Sequence, residues 1–96
     1  MASSSDITIH QQQDQQRWEA RIGESLAGFC AYDREPDRIV FTHTVVQPEF
    51  EGRGVGSALA ERALDDARAQ GLKVRPSCRF IAAYIERHPQ YADLVD

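Results

Sequence analysis

The stretch Val45-Val-Gln-Pro-Glu-Phe-Glu-Gly-Arg-Gly-Val-Gly-Ser-Ala-Leu59 decides the fold of this chain. A β-branched run ends before Pro48, three glycines alternate with other residues, and apolar residues then recur at helical spacing. Glycines at this spacing let the backbone approach a ligand closely and turn successive N–H groups toward it. The positive end of the helix dipole lies at the same place. The stretch therefore predicts a strand, a phosphate-binding loop with Arg53 at its edge, and a helix.

Three strand-like segments precede the glycines. Apolar residues alternate from Arg17 to Ile22, a second segment covers Leu26 to Tyr32, and the longest covers Arg38 to Val46. Short turns separate them, so we predict an antiparallel meander. In the longest segment, strict alternation predicts that four residues share one inward face. They are Ile39, Phe41, His43 and Val45.

Two helices and a short strand are predicted after the glycines. The first helix ends at Gly71, and the strand Leu72 to Arg75 follows it. Because a helix connects this strand to the third one, the two should be parallel. A second helix begins after Ser77 as N-cap and ends before Pro89. The predicted fold class is α/β (α+β), a small mixed and mostly antiparallel sheet with two helices.

Length and composition indicate one small globular domain. The chain has 96 residues, of which 42% are hydrophobic. Residues 1–16 are polar and Gln-rich, so we predict a flexible tail there and a single domain over residues 17–96. We expect a monomer or a weak dimer.

Charge and cysteine spacing exclude several kinds of partner. A net charge of −4 and a pI of about 5.3 argue against nucleic acid, which needs a clustered basic face. No apolar run has the roughly 20 residues of a membrane span. Cys30 and Cys78 lie far apart without metal-ligand spacing, so no metal is expected. The polar N-terminus does not resemble a signal peptide, and we expect a cytoplasmic protein with reduced thiols.

Two common phosphate-binding motifs do not fit the glycine loop. A nucleotide P-loop needs Gly-Lys-Ser/Thr, but Gly56 is followed by Ser57 without a lysine. The dinucleotide fingerprint needs a third glycine one helical turn later and belongs to a longer parallel sheet. The ligand must therefore be a different phosphate or pyrophosphate compound.

Glu51 to Gly56 resembles the pyrophosphate loop of the GNAT N-acetyltransferase superfamily, Gln/Arg-x-x-Gly-x-Gly/Ala, with Glu51 where Gln or Arg is usual. The strand Phe41 to Thr44 and the later Ala83 to Pro89 are similar to minimal single-domain members of that superfamily. The resemblance covers roughly Trp18 to Val95 and includes three separated motifs.

This resemblance implies an acetyl-CoA-dependent N-acetyltransferase that transfers acetyl to an unidentified amine. In the superfamily, the strand before the loop separates from its neighbour, and the pantetheine arm of coenzyme A lies in that gap. Ten residues are then expected to bind the cofactor. They are Val45, Val46, Gln47, Gly52, Arg53, Gly54, Val55, Gly56, Ser57 and Arg79.

Three residues are catalytic candidates, each with a structural alternative. Cys78 lies in the first turn of the predicted helix between Arg75 and Arg79, where dipole and charge favour a thiolate. It either takes the acetyl group or orients the thioester, or else it is an inert buried thiol. His43 could remove a proton from the amine or from Cys78, or fill the core. Tyr84 resembles the tyrosine that protonates the departing thiolate in larger relatives, although its spacing equally suits packing.

The acceptor and the catalytic competence stay open at this stage. Larger relatives build an amine pocket from two helices inserted between their first strands, whereas this chain has a tight turn at Gly23-Glu24. The resemblance then implies a shallow site, which suits a large acceptor such as a protein amine or needs completion by a partner. The alternative functions are a non-catalytic module that binds CoA or acetyl-CoA, and a protein-interaction domain.

Overall fold

The computed structural model describes residues 6–96, and its framework is a five-stranded sheet in the order β1-β2-β3-β4-β5. The strands are β1 (Ile7–Gln12), β2 (Arg17–Ile22), β3 (Ser25–Arg34), β4 (Arg38–Val46) and β5 (Lys73–Pro76). The first four strands pair antiparallel, and β4 pairs parallel with β5. This confirms the predicted mixed, mostly antiparallel fold.

Two α-helices, α1 (Val55–Ala69) and α2 (Arg79–Arg87), complete the fold. Helix α1 connects β4 to β5, and α2 follows β5. A 3₁₀ turn, Pro48–Phe50, stands between β4 and the glycine loop, and another, Pro89–Leu94, closes the chain against α2.

One apolar core lies between the helices and the face of the sheet that we call the inner face. Trp18 marks this face, because the Arg62 guanidinium of α1 lies 5.4 Å from its ring centroid. Phe41 is fully buried near the centre of the core. Helix α1 contributes an apolar stripe at helical spacing, which anchors the helix to the sheet. The stripe consists of Val55, Leu59, Ala60, Ala63, Leu64 and Ala67.

The N-terminal segment departs from its prediction. The flexible tail predicted for residues 1–16 was wrong for Ile7–Gln12, which forms β1 along β2, from the pair Ile7↔Ile22 to the pair Gln12↔Arg17. Ile7 and Ile9 pack against the core, while the intervening residues are exposed. A strand ladder uses main-chain groups, so the glutamines do not prevent pairing. Within the same predicted tail, Gln13–Gln15 forms a 3₁₀ turn, and residues 1–5 lie outside the described residues.

An irregularity in the β3–β4 ladder changes the direction of the side chains. Ala31 lies opposite His43 and Tyr32 lies opposite Phe41, which leaves Thr42 without a partner. One extra residue on one strand is a β-bulge, and it reverses the alternation of side chains beyond it.

The bulge overturns the predicted inward face of β4. Phe41 points inward as expected, but beyond the bulge Thr44 and Val46 take the inner side. His43 and Val45 are exposed on the opposite side, which we call the outer face. The prediction that these two residues face inward was therefore wrong, because strict period-two counting has no place for a bulged residue.

Candidate functional site

The glycine loop adopts the backbone conformation that its sequence predicts. Gly52 has φ 83° and Gly54 has φ 80°, left-handed values that residues with a Cβ rarely take. Gly54 is the N-cap of α1 and makes no side-chain cap bond, and its carbonyl accepts the first helical bond from Ala58 N–H at 3.0 Å. The N–H groups of the first helical turn have no acceptor within the helix. They are available to an anion at this end of α1.

A cavity of about 320 Å³ lies between this loop, the end of β4 and the start of α2. Phe50 and Phe80 form apolar walls of it. A Cβ at Gly56 would lie 2.7 Å from Cζ of Phe80, so the glycine leaves the space that this ring occupies. Sequence reasoning missed both aromatics. Phe80 lies four residues before Tyr84 on the predicted second helix, and this spacing is the signal that could have indicated it.

The gap between β4 and β5 opens next to this cavity. The parallel ladder ends at Phe41↔Pro76, and the Cys78 amide then donates to the Phe41 carbonyl at 2.9 Å. Beyond that bond the chain turns into α2, so residues 42–46 of β4 have no strand beside them on this edge.

Main-chain polar groups line the open edge of β4. The Gln47 N–H donates to the Ala27 carbonyl on the β3 side at 2.8 Å. Because main-chain groups alternate between the two edges of a strand, the N–H and C=O of Val46 turn toward the gap. An extended ligand in the gap therefore meets an unpaired donor and acceptor of β4.

Six of the ten predicted cofactor residues lie together around the cavity, and four lie elsewhere. Those around it are Val46, Gly52, Gly54, Val55, Gly56 and Ser57. Val45 is 37% exposed on the outer face, and Gln47 is half-buried beside β3. Arg53 is exposed with its guanidinium 5.7 Å from the Phe50 ring centroid, and Arg79 is the exposed first residue of α2.

Cys78 lies at the inner side of the gap. It is the N-cap of α2 in place of the predicted Ser77, and its side chain is buried. Its Sγ lies 3.3 Å from Oγ1 of Thr44, which the bulge turns inward. Cys30 faces Thr44 from β3, and burial raises the pKa of Cys30 to about 12. The Cys30 thiol therefore stays protonated and belongs to the core.

The sheet separates His43 from the Cys78 thiol. Its ring lies on the outer face, 5.7 Å from the Phe29 ring in an edge-on contact. Its Nδ1 is 3.3 Å from Oγ1 of Thr42. Because His43 and Thr44 are consecutive strand residues, their side chains point to opposite faces. The arrangement does not support proton transfer from Cys78 to His43.

Tyr84 lies one helical turn beyond Phe80 and contacts the core. Its ring stacks on His88 at 3.9 Å between centroids and lies 6.2 Å from the ring of Tyr91. Burial, followed by the charges of Glu61 and Asp65 on α1, raises its pKa. Tyr84 is not among the residues around the cavity, and its contacts are those of a packing residue.

Residues 6–96 contain neither a group of metal-binding side chains nor a helix that could span a membrane. Histidine, cysteine and carboxylate side chains nowhere group in threes that could hold a metal ion in this part of the chain. The helices described here are all too short or too polar to cross a membrane.

A sheet that opens beside a glycine loop at the start of a helix defines the GCN5-like fold. A GCN5-like protein of Staphylococcus aureus, solved in solution by NMR, superposes with a TM-score of 0.71 and 29% identity, over 96% of this chain and 90% of that one. The chain belongs to the GCN5-related N-acetyl-transferase family, whose family model matches residues 17–94.

The chain is also similar to a group of curated vertebrate proteins. Protein NATD1 of Homo sapiens is 36% identical over 59 residues, which cover 60% of this chain and 52% of that protein. Protein NATD1 of Gallus gallus gives the same identity over 54% of its length. The matched region thus spans about half the length of these relatives.

Proposed function

We propose that this protein is an acetyl-CoA-dependent N-acetyltransferase in which main-chain amides between Glu51 and Ser57 hold the diphosphate of coenzyme A. The observation that carries the proposal is the start of α1. Two glycines with positive φ precede first-turn amides that have no helical acceptor, and they line a cavity beside the open edge of β4. Family membership supports the same ligand.

The remaining cofactor contacts follow from the same geometry. We propose that the pantetheine arm runs along β4 from Val45 to Gln47, using the main-chain groups of Val46 as a pairing strand would. Phe50 and Phe80 offer apolar contact on either side. The guanidinium of Arg53, which lies over the Phe50 ring, and that of Arg79, the residue before Phe80, are exposed, and we propose that they complement phosphate charge.

The acceptor amine should approach from the outer face. The inner side of the gap is filled by Phe80 against Gly56 and by Cys78 against Thr44. His43 is exposed on the outer side, where a neutral imidazole can accept a proton from an amine. This face is open sheet surface at the gap, which suits an amine carried by a protein better than a small molecule that needs a pocket.

Cys78 has two compatible roles in this scheme. Acetyl-CoA supplies an activated acetyl thioester. In the covalent role, the Cys78 sulfur would take the acetyl group, and the sulfur of coenzyme A would leave with the Cys78 proton. The amine would then take the acetyl group from Cys78 and return a proton to its sulfur. In the other role, the thiol orients the thioester and the amine attacks it directly. Tyr84 has no step in this scheme, because its contacts lie in the core.

Calorimetry on two glycine variants tests the cofactor assignment. Gly54→Ala places a Cβ at positive φ and displaces the amides at the start of α1, so we expect CoA affinity to fall about tenfold or more. Gly71→Ala is the matched control, because it has φ 71° beyond the far end of the same helix. Its CoA affinity should stay within about twofold of wild type. Equal binding by all three proteins would contradict the assignment.

The burial of Cys78 favours a second candidate, a module that binds acetyl-CoA without transferring the acetyl group. Cys78 is only 5% exposed, and this burial restricts the access of a free amine to an acetyl group on its sulfur. Mass spectrometry after incubation with acetyl-CoA separates the candidates. Acetyl on Cys78, lost on addition of an amine and absent from Cys78→Ala, supports covalent transfer. Intact CoA binding with neither acetylated protein nor acetylated amine supports the module.

A further inference from the structure

Two free thiols flank one hydroxyl at the inner side of the gap. The Cys78 Sγ lies 3.3 Å from Oγ1 of Thr44. On the other side of Thr44, Cys30 of β3 lies directly opposite it in the antiparallel ladder. Residues that are directly opposite share a face, with Cβ atoms about 4.5–5.5 Å apart, and a side-chain hydrogen bond with Thr44 accordingly acts on Cys30. The Thr44 hydroxyl is therefore a bridge between a thiol of the sheet and the thiol at the N-cap of α2.

The two sulfur atoms lie in surroundings of opposite electrostatic character. Cys30 is fully buried within β3, and burial raises its pKa to about 12, so its thiol keeps its hydrogen. Cys78 is the N-cap of α2, where the positive end of the helix dipole favours negative charge. The exposed Arg79 lies at the same end of the helix. The Cys30 thiol is therefore a permanent donor, and the Cys78 sulfur is the better acceptor of the two.

The hydrogen atoms of the three groups allow two directions of hydrogen bonding. A hydroxyl donates one hydrogen bond and accepts two, whereas a thiol is a weak donor and a weak acceptor. Bonds running from Cys78 through Thr44 to Cys30 would give the hydroxyl hydrogen to a buried neutral sulfur. Bonds running from Cys30 through Thr44 to Cys78 give it to the sulfur where negative charge is favoured. The second direction is the more stable, because hydrogen bonds to charged groups are stronger than those between neutral groups.

We propose that Cys30 orients Thr44 and that Thr44 orients the Cys78 sulfur: the Cys30 S–H donates to Oγ1 of Thr44, and the Thr44 O–H donates to Sγ of Cys78. Cys30 and Thr44 are positioning residues, since they act through Cys78. The hydrogen bonds involve no covalent change, and the hydrogen of the Cys78 thiol stays on its own sulfur. The consequence for acetyl transfer rests on the proposed function, whereas the direction of these hydrogen bonds does not depend on coenzyme A.

Infrared spectra of the S–H stretching bands, recorded on the full chain without coenzyme A, test this direction. A thiol that donates a hydrogen bond absorbs at a lower frequency than a free thiol. Cys30→Ser and Cys78→Ser assign the two bands, because each variant removes one. We expect Thr44→Val to move the Cys30 band to higher frequency, and Thr44→Ser, which keeps the hydroxyl, to leave it in place. Thr42→Val is the matched control and should move neither band.

Two infrared results would overturn the proposal. One is a Cys30 band that stays in place in Thr44→Val. The other is a Cys78 band that moves to higher frequency in Thr44→Val, because this would show that Cys78 donates to Thr44. An amide NMR spectrum of each variant verifies that the fold is retained, and Cys30→Ala provides a second perturbation that leaves Thr44 intact.

The rate at which acetyl-CoA acetylates Cys78, followed by mass spectrometry, tests the consequence for transfer. Thr44→Val should slow this reaction about tenfold, Cys30→Ala about threefold, and Thr44→Ser should stay within about twofold of wild type. Equal slowing by Thr44→Val and Thr44→Ser, or an unchanged rate in Thr44→Val, would remove the positioning role. If none of the proteins accepts acetyl, the proposed covalent role fails, and the infrared bands still decide the direction of the hydrogen bonds.

Discussion

The two halves of strand β4 differ in pairing and in burial, although they are consecutive in sequence. From Arg38 to Phe41 the strand is paired on both edges and contributes Ile39 and Phe41 to the core. After the bulge it is paired on one edge, and two of its residues, His43 and Val45, are exposed.

One unpaired residue therefore separates a half of β4 with strands on both edges from a half with one open edge, where the proposed ligand would bind. In the first half, buried side chains stabilise the fold, and the main-chain groups form hydrogen bonds with the neighbouring strands on both edges. In the second half, the main chain keeps unpaired groups on the open edge, and side chains on both faces stand beside the gap. A substitution should accordingly act on stability before the bulge and on ligand binding after it.

The strongest test of this contrast is Phe41→Ala. The ring is fully buried and lies edge-on to Tyr32 at 6.4 Å, so its removal leaves a cavity in the middle of the core. We expect a loss of about 3–5 kcal/mol in the free energy of unfolding, measured with urea. A loss below about 1 kcal/mol would show that the first half does not carry the core.

Glu19→Gln should have the next largest effect. Glu19 lies on β2 opposite Phe29 of β3, which in turn lies opposite Val45 in the second half of β4. The Glu19 side chain is 4% exposed and forms ion pairs with Arg17 at 2.6 Å and Arg21 at 3.3 Å. Burial raises the pKa of Glu19, but hydrogen bonds and charges from Arg17 and Arg21 outweigh it, so the pKa lies below its usual 4.5. At pH 7 we expect the variant to lose about 1–2 kcal/mol.

The stability that the Glu19 carboxylate contributes should depend on pH with a definite sign. A carboxyl whose pKa is lower in the folded protein adds stability above its unfolded pKa of about 4.5, and this is lost as pH falls through the folded value. The difference in unfolding free energy between wild type and Glu19→Gln should therefore shrink below pH 4.5. A difference that is constant from pH 7 to pH 3 would contradict the paired carboxylate.

Thr44→Val sharpens the contrast within the second half. It removes the hydroxyl 3.3 Å from Cys78 Sγ without changing the volume much, and we expect a loss of about 0.5–1 kcal/mol. Thr42→Val, at the bulged residue, is the matched change, because the Thr42 hydroxyl lies 3.3 Å from Nδ1 of the exposed His43. In thermal unfolding, the melting temperature of Thr44→Val should be lower than that of Thr42→Val. The reverse order would contradict the inward position of Thr44.

Val45→Ala should have the smallest effect on stability. The side chain is 37% exposed on the outer face, so we expect less than about 0.5 kcal/mol by urea unfolding. A loss as large as that of Phe41→Ala would mean that the outer face is covered and would remove the contrast between the halves.

Much of this architecture could be predicted from local patterns. Apolar residues at helical spacing and a glycine after the first helix predicted the helices. The spacing of the glycines predicted the loop, and Gly52 and Gly54 do adopt positive φ. Strand β1 was not predicted, because its side chains are mostly polar and composition does not indicate main-chain pairing. The bulge was not predicted, because a threonine is compatible with either face of a sheet. Only the register with β3 shows that Thr42 is the bulged residue and that Thr44 faces inward.

The candidate site was predicted in its main chain and less well in its side chains. Gly52 to Ser57 could be identified because their chemistry is a property of the backbone and of a helix start. The direction of His43 depended on a neighbouring strand, and the contact between Phe80 and Gly56 depended on how two helices pack. Such information arises from tertiary structure, so one sequence does not contain it in readable form.

The bond from the Cys78 amide to the Phe41 carbonyl has a consequence for association kinetics. It ties the N-cap of α2 to the last residue of β4 that pairs with β5, so the gap between these strands is already formed in the structure without a ligand. We therefore expect a ligand of this gap to order little of the polypeptide when it binds. Fast, single-step association with little backbone displacement is the behaviour that such pre-organisation favours.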